Sequence, residues 1–522
     1  MPAAIAAYRA ALLDDPDYKP ASDKLHEIGT RHFELSYAKL REGNCVEAVV
    51  AADIAFDAQP QLRQPNLLYN FAGMLIGARN YTRASAILEE VIGKDPTKIE
   101  YYCQSAFVIY HTENWERAVA MLWRGLRAAT PFGGNAQTAL ESLCVSTGSD
   151  FSDDSPNHLV PVSTARTENF ADFAFLQISP DGESGLVGLT PLPQRATFVA
   201  RVSEVDLVGP ELTLCRNVTE RLVGYNAAGG NFELRRLMWV ARHLHQQGPE
   251  AIVRHDAPEG AIAFASDVSS NYYHWIFDDL CRMELIELFP ELSRLPLLYP
   301  THGPPFVGET LEMLDWPGGL LPIGPAINRF RRLHVPSLFW PEDAGAIARS
   351  NLEWLRKRFA KWRKGDGAKR VFLARGTASR RRVLNEVELL ARLEGYGFVA
   401  LQLEDMSVRD QIAALSSAEI VVAPHGAGLT NLAYCPEGVS VVELASEGSL
   451  TMPVTGRSLF CQISAHLNGR HAIMLGRISP EAHGGALEDL DPMVRALFQH
   501  NVDFSIDERL LLLTLDRLHP NF

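Results

Sequence analysis

Glu419-Ile420-Val421-Val422-Ala423-Pro424-His425-Gly426-Ala427-Gly428-Leu429-Thr430-Asn431 is the stretch on which the fold turns. Four consecutive apolar residues with no polar alternation predict a strand buried on both faces. The glycines and alanine that follow remove side-chain bulk where a strand passes into a helix. Outward from it the same alternation repeats. Upstream, Arg370-Val371-Phe372-Leu373-Ala374 is a β-type run ending at Arg375, and Asn385 with Glu388 three residues on reads as a helix start. Phe398-Val399-Ala400-Leu401 is the next strand, and Ser407 with Asp410 starts a helix running to Ser417. Downstream, Val439-Ser440-Val441-Val442-Glu443-Leu444 is one more strand. Strands and helices alternating from 369 to 445 predict a parallel sheet wrapped by helices. Ligands of such sheets collect at the carboxyl ends of the strands.

Those ends carry polar chemistry. Gly426, Ala427 and Gly428 let a diphosphate approach the backbone N–H groups of a helix start. His425, Thr430 and Asn431 stand ready to add hydrogen bonds to phosphate oxygens. Arg375 sets a permanent cation at the same edge, and Glu443 is sited to accept from ribose hydroxyls. A tight structural turn remains the alternative, and the dinucleotide spacing G-x-G-x-x-G is absent. Arg380-Arg381-Arg382 reads either as a solvated loop or as a phosphate contact.

A second constellation lies upstream: Asn271-Tyr272-Tyr273-His274-Trp275-Ile276-Phe277-Asp278-Asp279-Leu280-Cys281-Arg282. On a helix, His274, Asp278 and Arg282 fall at i, i+4 and i+8 along one face. A histidine steadied by a carboxylate one turn on is a general base; the alternative is a histidine that caps a helix and satisfies a buried carboxylate. Asp278-Asp279 is not a D-x-D pair, and no histidine cluster or second carboxylate pair calls for a metal.

The first third repeats. Asn44, Asn80 and Asn114 recur after 36 and 34 residues (44 to 80, 80 to 114). Each is followed by Ala48, Ala84 or Ala118 four positions on, then by helical residues and a stopping Pro60, Pro96 or Pro131. Amphipathic stretches such as Leu67 to Arg79 and Tyr101 to His111 lie between. The period and layout are similar to tetratricopeptide repeats; a non-repeating helical bundle is the alternative. Ala3 to Pro16 reads as the second helix of a degenerate capping unit. Ser146 to Asn169, rich in Ser, Asp, Thr and Pro, reads as a linker. From Phe198 to about Tyr225 the pattern is of short strands with turn punctuation at Gly209-Pro210, and from Ala261 to about Trp340 helices and strands alternate.

Composition bounds the rest. The 522 residues, 47% hydrophobic and 21% charged, suit a globular chain of several units. A net charge of −14 excludes bulk attraction to nucleic acid. Seven scattered cysteines without a C-x-x-C pair suggest reduced thiols rather than a disulfide framework or a zinc site. The N-terminus is a poor signal peptide and no window approaches a membrane span. A cytoplasmic protein is expected, with peripheral contact to the inner face of a membrane as an option.

Together the two constellations resemble glycosyltransferase family 61. The resemblance rests on Asn271-Tyr272-Tyr273-His274-Trp275, Arg375, Asn385-Glu386, Gln411, Pro424 to Asn431 and Val442-Glu443-Leu444, with about 150 residues between the two blocks. It implies an α/β body of two Rossmann-like halves in the GT-B arrangement, preceded by the all-α repeats. The expected divisions are repeats at 1–145, a linker at 146–170, an acceptor-side half at 171–345 and a nucleotide-sugar-binding half at 346–522. It implies inverting, metal-independent transfer from a nucleotide sugar, UDP-linked, to a glycan acceptor in capsule, lipopolysaccharide or exopolysaccharide synthesis of a bacterial kind, with no other cofactor. His274 and Asp278 are then the catalytic candidates. Arg375, His425, Gly426, Ala427, Gly428, Thr430, Asn431 and Glu443 are the donor-binding candidates. Asn271, Tyr273, Asp279 and Arg282 are acceptor or supporting residues. Two other readings stay open: a protein acceptor or partner presented by residues 1–145, by analogy with the domain order of O-linked N-acetylglucosamine transferases, and a repeat scaffold with a vestigial transferase body.

Overall fold

Asn44 and Asn80 recur because each caps a helix. In the computed structural model, Asn44 Oδ1 accepts from Glu47 N at 3.1 Å and Asn80 Oδ1 from Arg83 N at 3.3 Å. The structure describes residues 1–113, 115–129, 158–164, 166–170, 173–194, 196–208, 213–214, 238, 242, 245–246, 252–257, 259–265, 269–324, 326–337, 339, 347–375, 380–451, 459–478 and 502–520. The expected turn at Gly209-Pro210 lies outside them. The chain divides into two units, Met1–Val145 with Ala228–Val253, and Ser146–Ala227 with Arg254–Phe522.

The first unit is helical. α1 (Pro2–Asp14) precedes α2 (Lys19–Arg41) and α3 (Cys45–Ala58), α4 (Pro65–Gly77) and α5 (Tyr81–Lys94), and α6 (Ile99–Thr112) and α7 (Trp115–Ala129). Each helix packs on the next, so the expected repeat of helix pairs is present, with α1 ahead of the first pair. Small residues let the pairs close: Ala48, Ala84 and Ala118 are fully buried, and a Cβ on Gly125 would stand 2.5 Å from the Tyr102 side chain. Leu68, Phe71, Leu75, Leu88 and Val91 fill the seam.

The second unit holds two large sheets. One runs, in spatial order, through His158–Ser163, Thr197–Val208, Ile327–Pro336, Ala261–Ile262, Leu297–Pro300 and Leu320–Ile323. Its first three strands pair antiparallel and the rest parallel. The sheet is therefore mixed, parallel only across its last four strands, where the resemblance implied a Rossmann-like half. Two stretches read as linker are strands: His158–Ser163 pairs with Thr197–Val208, and Arg166–Glu168 with Leu192–Gln194. The consecutive apolar residues Leu159-Val160-Pro161-Val162 mark this strand in the sequence, a run that the surrounding Ser, Asp and Thr composition hid.

The other sheet is the one the opening stretch implied. Its order is Val399–Leu401, Arg370–Leu373, Ile420–Pro424, Ser440–Ser446, Arg470–Ile478, Ala174–Ile178 and Ser184–Gly188, parallel as far as Ala174–Ile178. The Ala174–Ile178 hairpin comes from far upstream and extends this sheet beside Arg470–Ile478. Both faces are covered, which explains the unbroken apolar runs. Phe372, Val422, Val442 and Met474 face Leu389, Leu393, Leu511 and Leu515 of helices Glu386–Glu394 and Glu508–Leu518. Val371, Val421, Val441 and Ile473 face the opposite core with Leu355, Ile412 and Ile463.

The helix starts read from sequence divide. Ser407 Oγ accepts from Asp410 N at 3.1 Å and caps Val408–Leu415. Asn385 precedes Glu386–Glu394 without a side-chain cap; its amide instead clamps Ile506, donating to Ile506 O at 2.8 Å and accepting from Ile506 N at 3.0 Å.

Candidate functional site

The two constellations meet. Tyr272 O–H donates to Asn431 Oδ1 at 3.0 Å. The Tyr273 ring lies edge-on to Phe460 with centroids 5.9 Å apart, and Phe460 lies 5.5 Å from the His425 ring. Phe460 belongs to helix Leu459–His466, which covers the face of the sheet that carries Glu443 and His471.

On the sheet side, Arg375 follows its strand with its backbone N–H donating to the Glu386 carboxylate at 3.2 Å. Its Nη1 donates to His425 O at 2.7 Å, which fixes the guanidinium across the turn. Gly426 makes the room: a Cβ there would fall well inside 3.0 Å of Arg375 Nη1. Burial lowers the Arg375 pKa, partly opposed by Glu404 and Glu386. Arg381 is a second such cation. Burial, then the Arg375 charge, takes its pKa down to about 10, while Glu443 opposes, and its backbone is left-handed at φ 56°. Arg380 is exposed and Arg382 pairs outward with Asp503 at 2.7 Å. The arginine cluster thus splits, one member facing the site and one a surface pair.

Glu443 departs from its reading. It is fully buried, and both carboxylate oxygens are taken: Oε1 by His425 Nδ1, and Oε2 by His471 Nε2 at 2.9 Å. Burial pushes its pKa up, but the two histidines outweigh that and hold it at about 2. A ribose hydroxyl has no free oxygen of Glu443 to reach. His471 Nδ1 lies 2.9 Å from Ser464 Oγ. Thr430 and Asn431 are also fully buried. Asn431 accepts from Tyr272 and donates to Gln411 Oε1 at 2.9 Å, so it braces the turn rather than facing outward. Thr430 Oγ1 is buried without a hydrogen-bond partner among the described residues. His425, Ala427 and Gly428 keep partial exposure, and the turn runs into the 3₁₀ helix Ala427–Tyr434.

On the other side, His274–Asp279 wind as a π-helix, then Leu280–Arg282 as 3₁₀ and Met283–Ile286 as α. Such windings recur at functional sites. His274 Nδ1 and Asp278 Oδ2 are 2.6 Å apart, with side chains 22% and 14% exposed. Arg282 does not share their face. The change of winding turns it into the core, where it is fully buried and donates to Phe264 O and to Pro336 O; burial lowers its pKa to about 10. Asp279 is likewise buried and accepts from Ser269 Oγ at 2.6 Å. Asn271 starts the turn, its Oδ1 accepting from Tyr273 N at 2.9 Å, and Trp275 Nε1 anchors the helix on Thr310 Oγ1 at 2.7 Å.

Glu443, Cys461 and His471 bring three donor atoms within 4.8 Å of one another. Burial pushes the Cys461 thiol well above its usual value, and Glu443 already spans two histidines. Glu443 and His471 already satisfy one another and Cys461 stays a buried thiol, a set that fits a metal poorly. His471, Ser464 and Phe460 are the site residues that motif reading passed over, whereas Arg381 belongs to the cluster read as loop or phosphate contact; a histidine at the head of the apolar run Ala472 to Leu475 is the signal that could have found the first.

Residues 272–442 match the family model described as Glycosyltransferase 61, a span that takes in the two constellations from Tyr272 up to Val442. The chain is 37% identical over 73 residues to Beta-1,2-xylosyltransferase XYXT1 of Oryza sativa subsp. japonica, which is 14% of this chain and 16% of that protein. It is 38% identical over 77 residues to the EGF domain-specific O-linked N-acetylglucosamine transferase of Drosophila melanogaster, 14% of this chain and 15% of that one. The chain thus spans about a sixth of the length of these relatives. Among solved structures, the TPR2AB-domain:pHSP90-complex of yeast Sti1 aligns at 17% identity and TM-score 0.18, covering 26% of this chain and 58% of that one. The helical repeats lie outside the family match.

Proposed function

We propose that this chain, with its glycosyltransferase 61 domain at 272–442, transfers a sugar with inversion from a UDP-linked donor to a glycan acceptor. One observation carries the reading. Two half-buried guanidiniums lie at this edge: Arg375 is held across the Gly426–Gly428 turn by its bond to His425 O at the carboxyl end of a parallel strand, and Arg381 is near enough to feel the charges of Arg375 and Glu443. Half-buried cations next to a backbone stripped of side chains suit a diphosphate. The names of the two relatives support sugar transfer and differ in the sugar moved.

In the reaction, the acceptor hydroxyl oxygen attacks the anomeric carbon while the bond from that carbon to the diphosphate oxygen breaks on the opposite face. The hydroxyl proton passes to the His274–Asp278 pair. The electron pair leaves with the diphosphate, whose charge Arg375, Arg381 and His425 balance, work that a divalent ion does elsewhere. Inversion follows from a single displacement with no enzyme nucleophile.

A protein acceptor presented by the repeats is the second reading, favoured by the separate helical unit. Capture of a peptide by residues 1–145 during turnover supports it; turnover on glycans with the repeats disabled speaks against it. The primary test is a thermal-shift screen of UDP, GDP and CMP with mass spectrometry of a nucleotide-sugar panel. One nucleotide should stabilise the chain by about 2.7 kcal/mol at a hundredfold excess over its dissociation constant. A chain that ignores all three and turns over no donor is a scaffold.

A further inference from the structure

Behind the residues proposed to face phosphate lies a chain of fully buried side chains. Register places it. Val441 pairs with His471 and Glu443 with Ile473, so Glu443 and His471 share one face of adjacent parallel strands. Helix Leu459–His466 closes over that face and brings Ser464 Oγ to 2.9 Å from His471 Nδ1. Glu443, His471 and Ser464 are all fully buried, while His425 keeps 12% side-chain exposure.

The hydrogen bonds fix the protons. An ionised Glu443 only accepts, so His425 Nδ1–H and His471 Nε2–H both donate to it. His471 Nδ1 lies 2.9 Å from the Ser464 hydroxyl, which donates to it in the tautomer that carries the proton on Nε2. This leaves one negative charge buried beneath one partly exposed imidazole, whose Nε2 is the nitrogen directed away from Glu443. Arg375 crosses the same residue at its carbonyl.

The geometry points to Glu443, His471 and Ser464 as a positioning relay that holds the His425 ring with Nε2 turned to the leaving diphosphate. It rests on the nucleotide-sugar reading and assigns these three residues a part in it without contact to substrate. Phosphate recognition then depends on a serine and a histidine far from the glycine turn in sequence.

The test is calorimetry of inorganic pyrophosphate and of UDP on the full chain, with melting temperature followed in parallel. Wild type should bind both. Glu443→Gln, which keeps the shape and removes the charge, should bind pyrophosphate about tenfold or more weakly, the share of one charge-assisted hydrogen bond. His471→Leu should lose a comparable factor, and His471→Gln, which keeps an N–H donor in reach, should recover most of it. The His471 pair decides the matter should Glu443→Gln not fold. Variants that melt earlier yet bind pyrophosphate as wild type does would make the cluster structural and overturn the relay. So would one equivalent of zinc in the purified chain that is lost in Glu443→Gln. A wild-type chain that binds neither probe would overturn the phosphate site itself, an outcome distinct from equal binding by all variants.

Discussion

Tyr272 and Asn431 lie 159 residues apart in the chain and share a 3.0 Å hydrogen bond. Tyr272 is half-buried and desolvation of its hydroxyl raises the pKa, while Asn431 is fully buried. The bond therefore ties the helix that carries His274 to the turn that carries Gly426. Tyr272→Phe strands the Asn431 carbonyl oxygen in the core. We expect it to destabilise the second unit by about 1–3 kcal/mol, read by denaturant unfolding, and to weaken UDP affinity through loosening of the turn. A variant as stable as wild type, with unchanged affinity, would show that the two segments are joined by packing alone.

Gly426 and Arg375 offer a cleaner separation of folding from binding. A Cβ at 426 collides with the guanidinium end of Arg375, and moving that end aside gives up its bond to His425 O but displaces no apolar core packing. Gly426→Ala should thus melt close to wild type while losing nucleotide affinity. Arg375→Ala should lose a similar amount, about 1.5–3 kcal/mol for a charged hydrogen bond, and the double variant should show non-additive losses. Additive losses in calorimetry would mean that the glycine serves another purpose.

His274 and Asp278, 2.6 Å apart, form the base in the proposed reaction. His274→Ala should reduce kcat by about 10²–10⁴-fold, the usual weight of general-base catalysis, and leave UDP affinity nearly unchanged. Asp278→Asn keeps the shape but weakens the hold on the imidazole, so its loss should be smaller. Full turnover by His274→Ala would remove the histidine from the mechanism.

Much of this site was readable from sequence because strand ends in a parallel sheet are marked by apolar runs that stop. Val421 to Gly428 announces both its strand and its turn. Glu443 misled for a physical reason: its partner His471 sits on a strand whose register cannot be read from either segment alone. Arg282 misled because a π-helical turn followed by 3₁₀ breaks the spacing on which i, i+4, i+8 reasoning depends. The hairpin from Ala174 to Gly188 extends the second sheet by pairing with residues nearly 300 positions downstream, and nothing local records that. Asn44 and Asn80 were legible because a helix cap is a local device.

Arg79 and Gly43 occupy the same repeat position, each just before a capping asparagine. Both are left-handed, at φ 57° and 79°. A Cβ at Gly43 meets nothing within 4 Å, so the penalty for a side chain is backbone strain. Arg79→Gly should relieve about 1 kcal/mol and raise the stability of the repeats, and Gly43→Ala should lower it by a similar amount. Opposite signs in the two variants, by thermal or denaturant unfolding, are the expected result; a destabilised Arg79→Gly would mean that the arginine's contacts outweigh its strain.

The buried glutamate makes stability depend on acid. The Glu443 pKa stands at about 2 in the folded chain against an ordinary 4.5, because the pull of His425 and His471 exceeds the cost of burial. Its folded value lies below its unfolded one, so it contributes stability that is complete above the unfolded value. That stability is lost as pH falls from about 5 toward 2, through protons the unfolded chain binds first. A gap of this size corresponds to about 3 kcal/mol. Denaturant midpoints measured from pH 7 to pH 3 should therefore fall more steeply for wild type than for Glu443→Gln, which has no proton to gain. Parallel curves for the two would mean that the histidines do not hold the carboxylate ionised, and that acid acts on this fold through other groups.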